Sequence, residues 1–292
     1  MNPSTVDVIV AGGLDPTEVA RVIRAALAED LGPEGLDVTS LATIPGDQTG
    51  VADLIARASG VVAGLAVAAA VFELVDADTK VVFEVVDGAR VRRGDRLATM
   101  TGRTRPLLTA ERTALNLLCR LSGVATHTRA WVDAVAGTRT QVLDTRKTTP
   151  GLRALEKYAV RTGGGSNKRM GLYDVAMVKD NHIRAAGGVA PAFARVRAAY
   201  PHVPVQVEVT SLAEAAAAVD AGATFLLCDN LRPDRLREIV ETVGERAALE
   251  ATGGLRLEEA RRYAETGVDY LSVGALTHSS PVLDIAMDLR DR

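Results

Sequence analysis

The sequence predicts an α/β protein whose C-terminal half is a (β/α) barrel, and three observations carry that prediction. From about residue 138, short β-rich runs alternate with helical segments, the pattern of parallel strands joined by right-handed crossovers. Nearly every β-rich run ends in a polar residue: Asp144, Lys179 with Asp180, Glu208, Asp229, Glu250 with Thr252, and Ser272. Parallel barrels carry their active sites at those carboxyl ends. The residues before 138 lack this rhythm and read as α+β.

Element by element, DPTEVARVIRAALAED opens with Asp15 as a cap and Pro16 in the first turn, and its apolar residues fall at helical spacing. VADLIARASGVVAG turns strand-like. The apolar run VVAGLAVAAAVFELV from Val61 is too short to span a bilayer and is interrupted by Glu73, so a buried helix is expected. KVVFEVVDGARVRRGDRLATMTG alternates and carries turn signals at Asp87-Gly88 and Gly94-Asp95, as a hairpin does. RPLLTAERTALNLLCRLSGVATHTRAWVDAVAG reads as one or two long helices. Thereafter TQVLDT, DVAMVKDN, VPVQVEVT, ATFLLCDN, RAALEATGG and VDYLSVGA are the strands. LRALEKYAVRT, GGVAPAFARVRAAY, SLAEAAAAVDAGA, RPDRLREIVETVG and LEEARRYAETG are the helices between them.

Composition narrows the function classes. A chain of 292 residues suits one large or two modest domains. Aromatic residues are only 3% and the formal charge is -3, which argues against a nucleic-acid surface built on stacking and basic patches. Cys119 and Cys228 lie far apart and support neither a disulfide framework nor a zinc cluster. The N-terminus lacks the cationic lead and apolar run of a secretory signal, so a soluble cytoplasmic protein without a membrane partner is expected.

Against that acidic background, DTRKTTPGLRALEKYAVRTGGGSNKRMGL gathers cations and glycines. Arg153, Lys157 and Arg161 recur at helical spacing and read as a solvated helix face. Arg146-Lys147 at a strand end and Lys168-Arg169 beyond the glycines do not fit a surface face; guanidinium groups match carboxylates and phosphates, so they point to a polyanionic substrate. One of Gly163, Gly164 and Gly165 can cap the preceding helix; three in a row also suit backbone approaching a ligand. EATGG and SVGAL follow the last two strands, where barrels commonly hold a phosphate. Glu208 and Asp229 end neighbouring strands and suit a hard cation such as Mg²⁺; they suit equally a charge network with Lys147 and Lys179. Lysines at strand ends also fit a Schiff-base lyase, a rival from another reaction class.

The ordered motifs DTRKTTPGLRALEKYAVRTGGG, VKDNH, VEV, CDN, E-x-T-G-G and VGALTHS, with LLTAERTALNLLCRLSGVAT and EDLGPEGLDVTS before them, resemble the quinolinate phosphoribosyltransferase family over nearly the whole chain. The resemblance implies an N-terminal α/β sandwich domain (residues 1–115) and an incomplete (β/α) barrel (116–292) whose last helix can pack back on the first domain. It implies a homodimer and Mg²⁺-dependent transfer of phosphoribosyl from phosphoribosyl pyrophosphate to quinolinate, with release of pyrophosphate and carbon dioxide. By motif, Arg112 would reach the partner's site, and Arg146, Arg169 and Lys179 would bind the pyridine dicarboxylate. Lys147, Glu208 and Asp229 would be the catalytic set, the two acids also holding the metal. Thr145 would bind substrate, and Thr252, Gly253, Gly254, Val273, Gly274 and Ala275 would hold the 5′-phosphate. One position departs: the family reads G-G-G-x-N-H-R where this chain has Ser166-Asn167-Lys168-Arg169, so Lys168 either serves a substrate carboxylate in the histidine's place or shifts the acceptor.

Overall fold

The computed structural model describes residues 1–290. It opens with α1 (Pro3–Ala11), α2 (Pro16–Leu31) and α3 (Val38–Thr43), then β1 (Thr49–Ala56), β2 (Gly60–Val61), α4 (Leu65–Val75), β3 (Lys80–Phe83), β4 (Arg90–Val91), β5 (Arg96–Arg103) and α5 (Thr104–Ala134). The expected cap is present: Asp15 accepts a 2.8 Å bond from the Thr17 N–H, and Val19, Ala20, Ile23 and Leu27 form the buried face of α2. The helix α4 is buried on every side from Leu65 to Glu73. Its one acid is satisfied there, since Glu73 accepts bonds from the Asn2 N–H (2.6 Å), Asn2 Nδ2 (3.1 Å) and Thr5 Oγ1 (2.6 Å). No described helix is long and apolar enough to cross a membrane.

The rest of the chain runs β6 (Gln141–Leu143), α6 (Arg153–Thr162), β7 (Ala176–Val178), α7 (Asp180–Ala186), α8 (Val189–Ala199), β8 (Val205–Val209), α9 (Leu212–Asp220), β9 (Phe225–Asp229), α10 (Pro233–Val243), β10 (Ala248–Thr252), α11 (Ala260–Ala264), β11 (Tyr270–Ser272), α12 (Ala275–His278) and β12 (Ile285–Leu289). The last element is therefore a strand where a helix was expected. It pairs antiparallel with β1, from Ala52↔Leu289 to Ala56↔Ile285, and long-range pairing of this kind leaves little local signal.

The chain divides into two units, and not at residue 115. That position lies inside α5, which runs unbroken as one 31-residue helix. The first unit holds Met1–Arg129, Thr148–Gly164 and the segment from Thr277 onward. Its four-stranded sheet has the order β12-β1-β5-β3, and β4 leaves the β3–β5 hairpin to pair with β2.

Two readings of the cationic stretch change within this unit. Lys157 is fully buried, not part of a solvated face, while Arg161 is exposed as expected. Beside it the fully buried Glu156 accepts from both Arg120 Nε (3.1 Å) and Nη2 (2.8 Å) and from the Thr149 N–H (3.0 Å), a charge network that overrides helical periodicity. Two of the three glycines have a local reason. A Cβ at Gly163 would lie 2.5 Å from the Ala125 carbonyl oxygen on α5, and Gly164 adopts φ +92°.

The second unit, Ala130–Lys147 with Gly165–Leu276, contains six parallel strands in the order β6-β11-β10-β9-β8-β7. This is the incomplete barrel, open between β6 and β7. Against the outer side of β6, Ser166 forms a single parallel bridge with Leu143.

Candidate active site

Strand register decides which side chains of the second unit share a face. Glu208 is level with Leu227, Leu227 with Glu250, and Glu250 with Tyr270; one pleat further along, Asp229 is level with Thr252. Side chains alternate along a strand, so Glu208, Asp229, Glu250, Thr252 and Ser272 all project from one face. Val207, Leu226, Leu249 and Leu271 occupy the other and are fully or almost fully buried. On the same face Phe225 stacks on Tyr270 with ring centroids 5.5 Å apart.

Arg146, Arg169 and Lys179 line one cavity of about 840 Å³, walled also by Tyr173, Met177 and His182. Arg169 donates from Nη1 to the Val175 carbonyl at 2.8 Å, which fixes the guanidinium. Burial, and then the neighbouring Arg146, hold the Arg169 pKa below the ordinary arginine value. Two guanidinium groups lining one half-buried cavity favour an anion between them. His182 Nδ1 accepts from the Lys179 N–H at 3.0 Å and so ties the start of α7 to the end of β7.

The two acids at the strand ends behave differently. Glu208 Oε2 lies 3.0 Å from Lys179 Nζ, the charge pairing that the sequence left open beside a metal role. Asp229 accepts from Asn230 Nδ2 at 2.9 Å. Asn230 adopts φ 53° and donates its N–H to the Thr252 carbonyl at 2.9 Å. Gly253 is required opposite it, because φ is +91° and a Cβ would stand 2.5 Å from Asn230 Oδ1. The loops after β9 and β10 are thereby locked together, carrying Asp229, Thr252, Gly253 and Gly254. On the opposite side the Val273 N–H donates to the Leu143 carbonyl at 2.9 Å, which sets Gly274 and Ala275 beyond β11 next to Thr145, Arg146 and Lys147 beyond β6. Lys147 is exposed, and its N–H donates to Thr145 Oγ1 at 3.1 Å.

Lys168 joins the strand face directly. Its Nζ lies 2.5 Å from Glu250 Oε1, with the lysine side chain 8% exposed and the glutamate 0%. Burial lowers the Lys168 pKa and Glu250 opposes that shift. Next to it the fully buried Asp144 accepts from Asn167 Nδ2 (2.7 Å) and the Lys168 N–H (2.8 Å). Asn167 was not among the expected site residues, and Asp144 and Glu250 were expected only as polar strand ends, with no role of their own. Their signal was an acid set inside an apolar β-rich run, as in VLD and LEA. Arg112 is not in this unit; it lies exposed on α5 in the first.

Residues 124–288 match the quinolinate phosphoribosyl transferase C-terminal domain, and residues 37–122 match the N-terminal domain of the same enzyme. The chain belongs to the quinolinate phosphoribosyltransferase family. It is 50% identical to the carboxylating nicotinate-nucleotide pyrophosphorylase of Mycobacterium leprae, over 91% of this chain and 95% of that protein. To the probable carboxylating nicotinate-nucleotide pyrophosphorylase of Bacillus subtilis it is 40% identical, over 93% of each. The crystal structure of NadC from Streptococcus pyogenes superposes with a TM-score of 0.92 at 40% identity, covering 95% of this chain and 98% of that one. The quinolinate phosphoribosyltransferase fold therefore extends across both units. Membership also weakens the Schiff-base reading, as does the geometry: Lys147 is exposed and Lys179 is 47% exposed beside Glu208, neither desolvated as that chemistry requires.

Proposed function

We propose that this chain transfers the phosphoribosyl group of phosphoribosyl pyrophosphate to the ring nitrogen of quinolinate and releases pyrophosphate and carbon dioxide, giving nicotinate mononucleotide for NAD biosynthesis. The observation that carries the reading is the single cavity lined by Arg146, Arg169 and Lys179, with Lys179 in contact with Glu208. A pyridine dicarboxylate suits the cations, and a phosphoribosyl group suits the acids and glycine loops beside them. The bond from the ribose anomeric carbon to pyrophosphate breaks as the bond to the pyridine nitrogen forms. Glu208 and Asp229, on the same face of adjacent strands, would stabilise positive charge developing on the sugar. Quaternisation then makes the ring nitrogen an electron sink, so the neighbouring carboxylate leaves as carbon dioxide and a proton takes its place. Binding and alignment of two polyanions supply most of the rate enhancement, with no covalent nucleophile.

Mg²⁺ fits these residues: both acids are hard oxygen donors at neighbouring strand ends, and Mg²⁺ commonly takes one or two carboxylates with substrate phosphates. Glu208 and Asp229 would hold it, and the bound ion would neutralise charge on the departing pyrophosphate. Thr252, Gly253, Gly254, Val273, Gly274 and Ala275 are assigned to the 5′-phosphate, and Thr145 and Lys147 to the phosphoribosyl group. The exposed Arg112 is assigned to the site of a partner subunit in a homodimer. A pyrophosphate-release assay over a panel of pyridine carboxylates tests the reading: quinolinate should be the preferred acceptor, and another preferred acid would assign the chain to a paralogous transferase.

A further inference from the structure

Lys168 is where this chain leaves its family's motif, and it is not among the residues lining the cavity of Arg146, Arg169 and Lys179. Its side chain starts beyond the outer side of β6, where Ser166 bridges Leu143, and ends on β10, two strands further in. The Asn167–Lys168 turn is held twice by buried acids. Asp144 takes the Lys168 backbone N–H and the Asn167 side chain, and Glu250 takes the Lys168 ammonium. Glu250 Oε2 is buried and has no hydrogen-bond partner among the described residues, so its charge compensation comes through Oε1. Arg169 follows this turn directly, and its guanidinium lines the acceptor cavity and donates to the Val175 carbonyl, the residue before the cavity-lining Ala176.

We infer that Glu250 is a positioning residue for acceptor recognition: it holds the Lys168 ammonium inside the strand face, fixes the turn that aims Arg169 into the cavity, and leaves Lys168 without an acceptor carboxylate to carry. The inference rests on the acceptor site proposed above and deepens it. A lysine that binds the acceptor and a lysine held for alignment make opposite demands on Glu250. For a binding lysine, Glu250 is a competitor that weakens the acceptor's hold. For an aligning lysine, Glu250 is its necessary counterion, since breaking a buried pair leaves an uncompensated charge whereas removing both partners does not.

Calorimetry with quinolinate, and separately with phosphoribosyl pyrophosphate plus Mg²⁺, on the unmodified chain, Glu250→Gln, Lys168→Met and the double variant distinguishes them. Each single change should weaken quinolinate binding about tenfold or more and phosphoribosyl pyrophosphate binding by less than about threefold, and the double should recover most of that loss, the non-additivity expected of contacting residues. A double variant as weak as Lys168→Met, with Glu250→Gln no weaker than the unmodified chain, makes Lys168 an acceptor ligand and overturns the inference. Equal losses for both ligands that track the melting temperature overturn it too, as a general structural role. If a single variant fails to fold, the double decides alone: a loss above about tenfold overturns the inference, and a smaller loss supports it. An unmodified chain that binds no quinolinate overturns the proposed function and this inference together; quinolinate binding without recovery in the double overturns only the inference.

Discussion

Lys179 Nζ lies 3.0 Å from Glu208 Oε2, so a cation assigned to the acceptor touches an acid assigned to the phosphoribosyl group. The contact joins the two halves of the site at the ends of neighbouring strands β7 and β8. Glu208→Gln should weaken Mg²⁺-dependent binding of phosphoribosyl pyrophosphate about tenfold, roughly 1.4 kcal/mol, and quinolinate binding much less. Lys179→Met should show the reverse ranking. Calorimetry with each ligand checks both, and parallel losses in both variants would make the pair a structural bridge instead.

Arg112 yields a test of assembly. When Arg112→Ala and Lys147→Ala protomers, each inactive alone, are mixed and exchanged, some activity should return, because a hybrid dimer assembles one site free of both changes. Activity that stays absent after verified exchange would assign Arg112 to its own chain's site.

Gly163→Ala probes the glycine run. The added Cβ would meet the Ala125 carbonyl at 2.5 Å and Thr128 Cβ at 2.7 Å, so α5 and α6 must part. The expected cost is about 1–3 kcal/mol, the usual range for overpacking, read as a lower urea midpoint with an unchanged slope. Ligand affinities should hold at temperatures where the variant is folded. A selective loss of one ligand with no loss of stability would return the glycines to a binding role.

Asp53 governs an acid-linked part of the stability. It stands directly opposite Asp288 in the β1–β12 pair, a like-charge placement that would repel. Each acid has its own arginine: Asp53 accepts from Arg290 Nε and Nη2, both at 2.8 Å, and Asp288 accepts from Arg57 Nη2 at 2.5 Å. The Arg290 hydrogen bonds, aided by Thr99, hold the Asp53 pKa below its ordinary value despite burial. A depressed folded-state pKa gives stability that is present above the unfolded value of about 3.9 and is lost as pH falls through the folded value. Asp53→Asn should therefore lower stability at pH 7 and flatten its fall below about pH 4. Melting curves from pH 7 to pH 2.5 read this, and an unchanged acid slope would remove Asp53 as its source.

What the sequence made legible was what repeats. Alternating runs and polar strand ends announced the parallel sheet and placed Glu208, Asp229, Glu250, Thr252 and Ser272 on it. Features settled by distant partners stayed hidden. Lys157 keeps a surface-like spacing, yet it lies buried beside the Arg120–Glu156 network, 36 residues apart along the chain. The segment Ile285–Leu289 becomes a strand because β1 offers an edge, which nothing within those five residues declares. Glu250 looked like one more polar strand end; only the crossing of Lys168 from the far side of β6 gave it a specific task.

The pairing of β12 with β1 also has a consequence for the order of synthesis. Ala52 faces Leu289, so one side of β1 waits for its neighbour until the chain has been made through Leu289. Its other side can pair with β5 much earlier, from Thr49↔Arg103 onward. Contacts between remote segments form late because the intervening loop must first be closed. In the nascent chain, then, the first sheet carries an open edge through the synthesis of the entire barrel, an edge of the kind that invites pairing with other chains. Asp53 puts a charge on that edge of β1, a feature that disfavours pairing with other chains before β12 arrives.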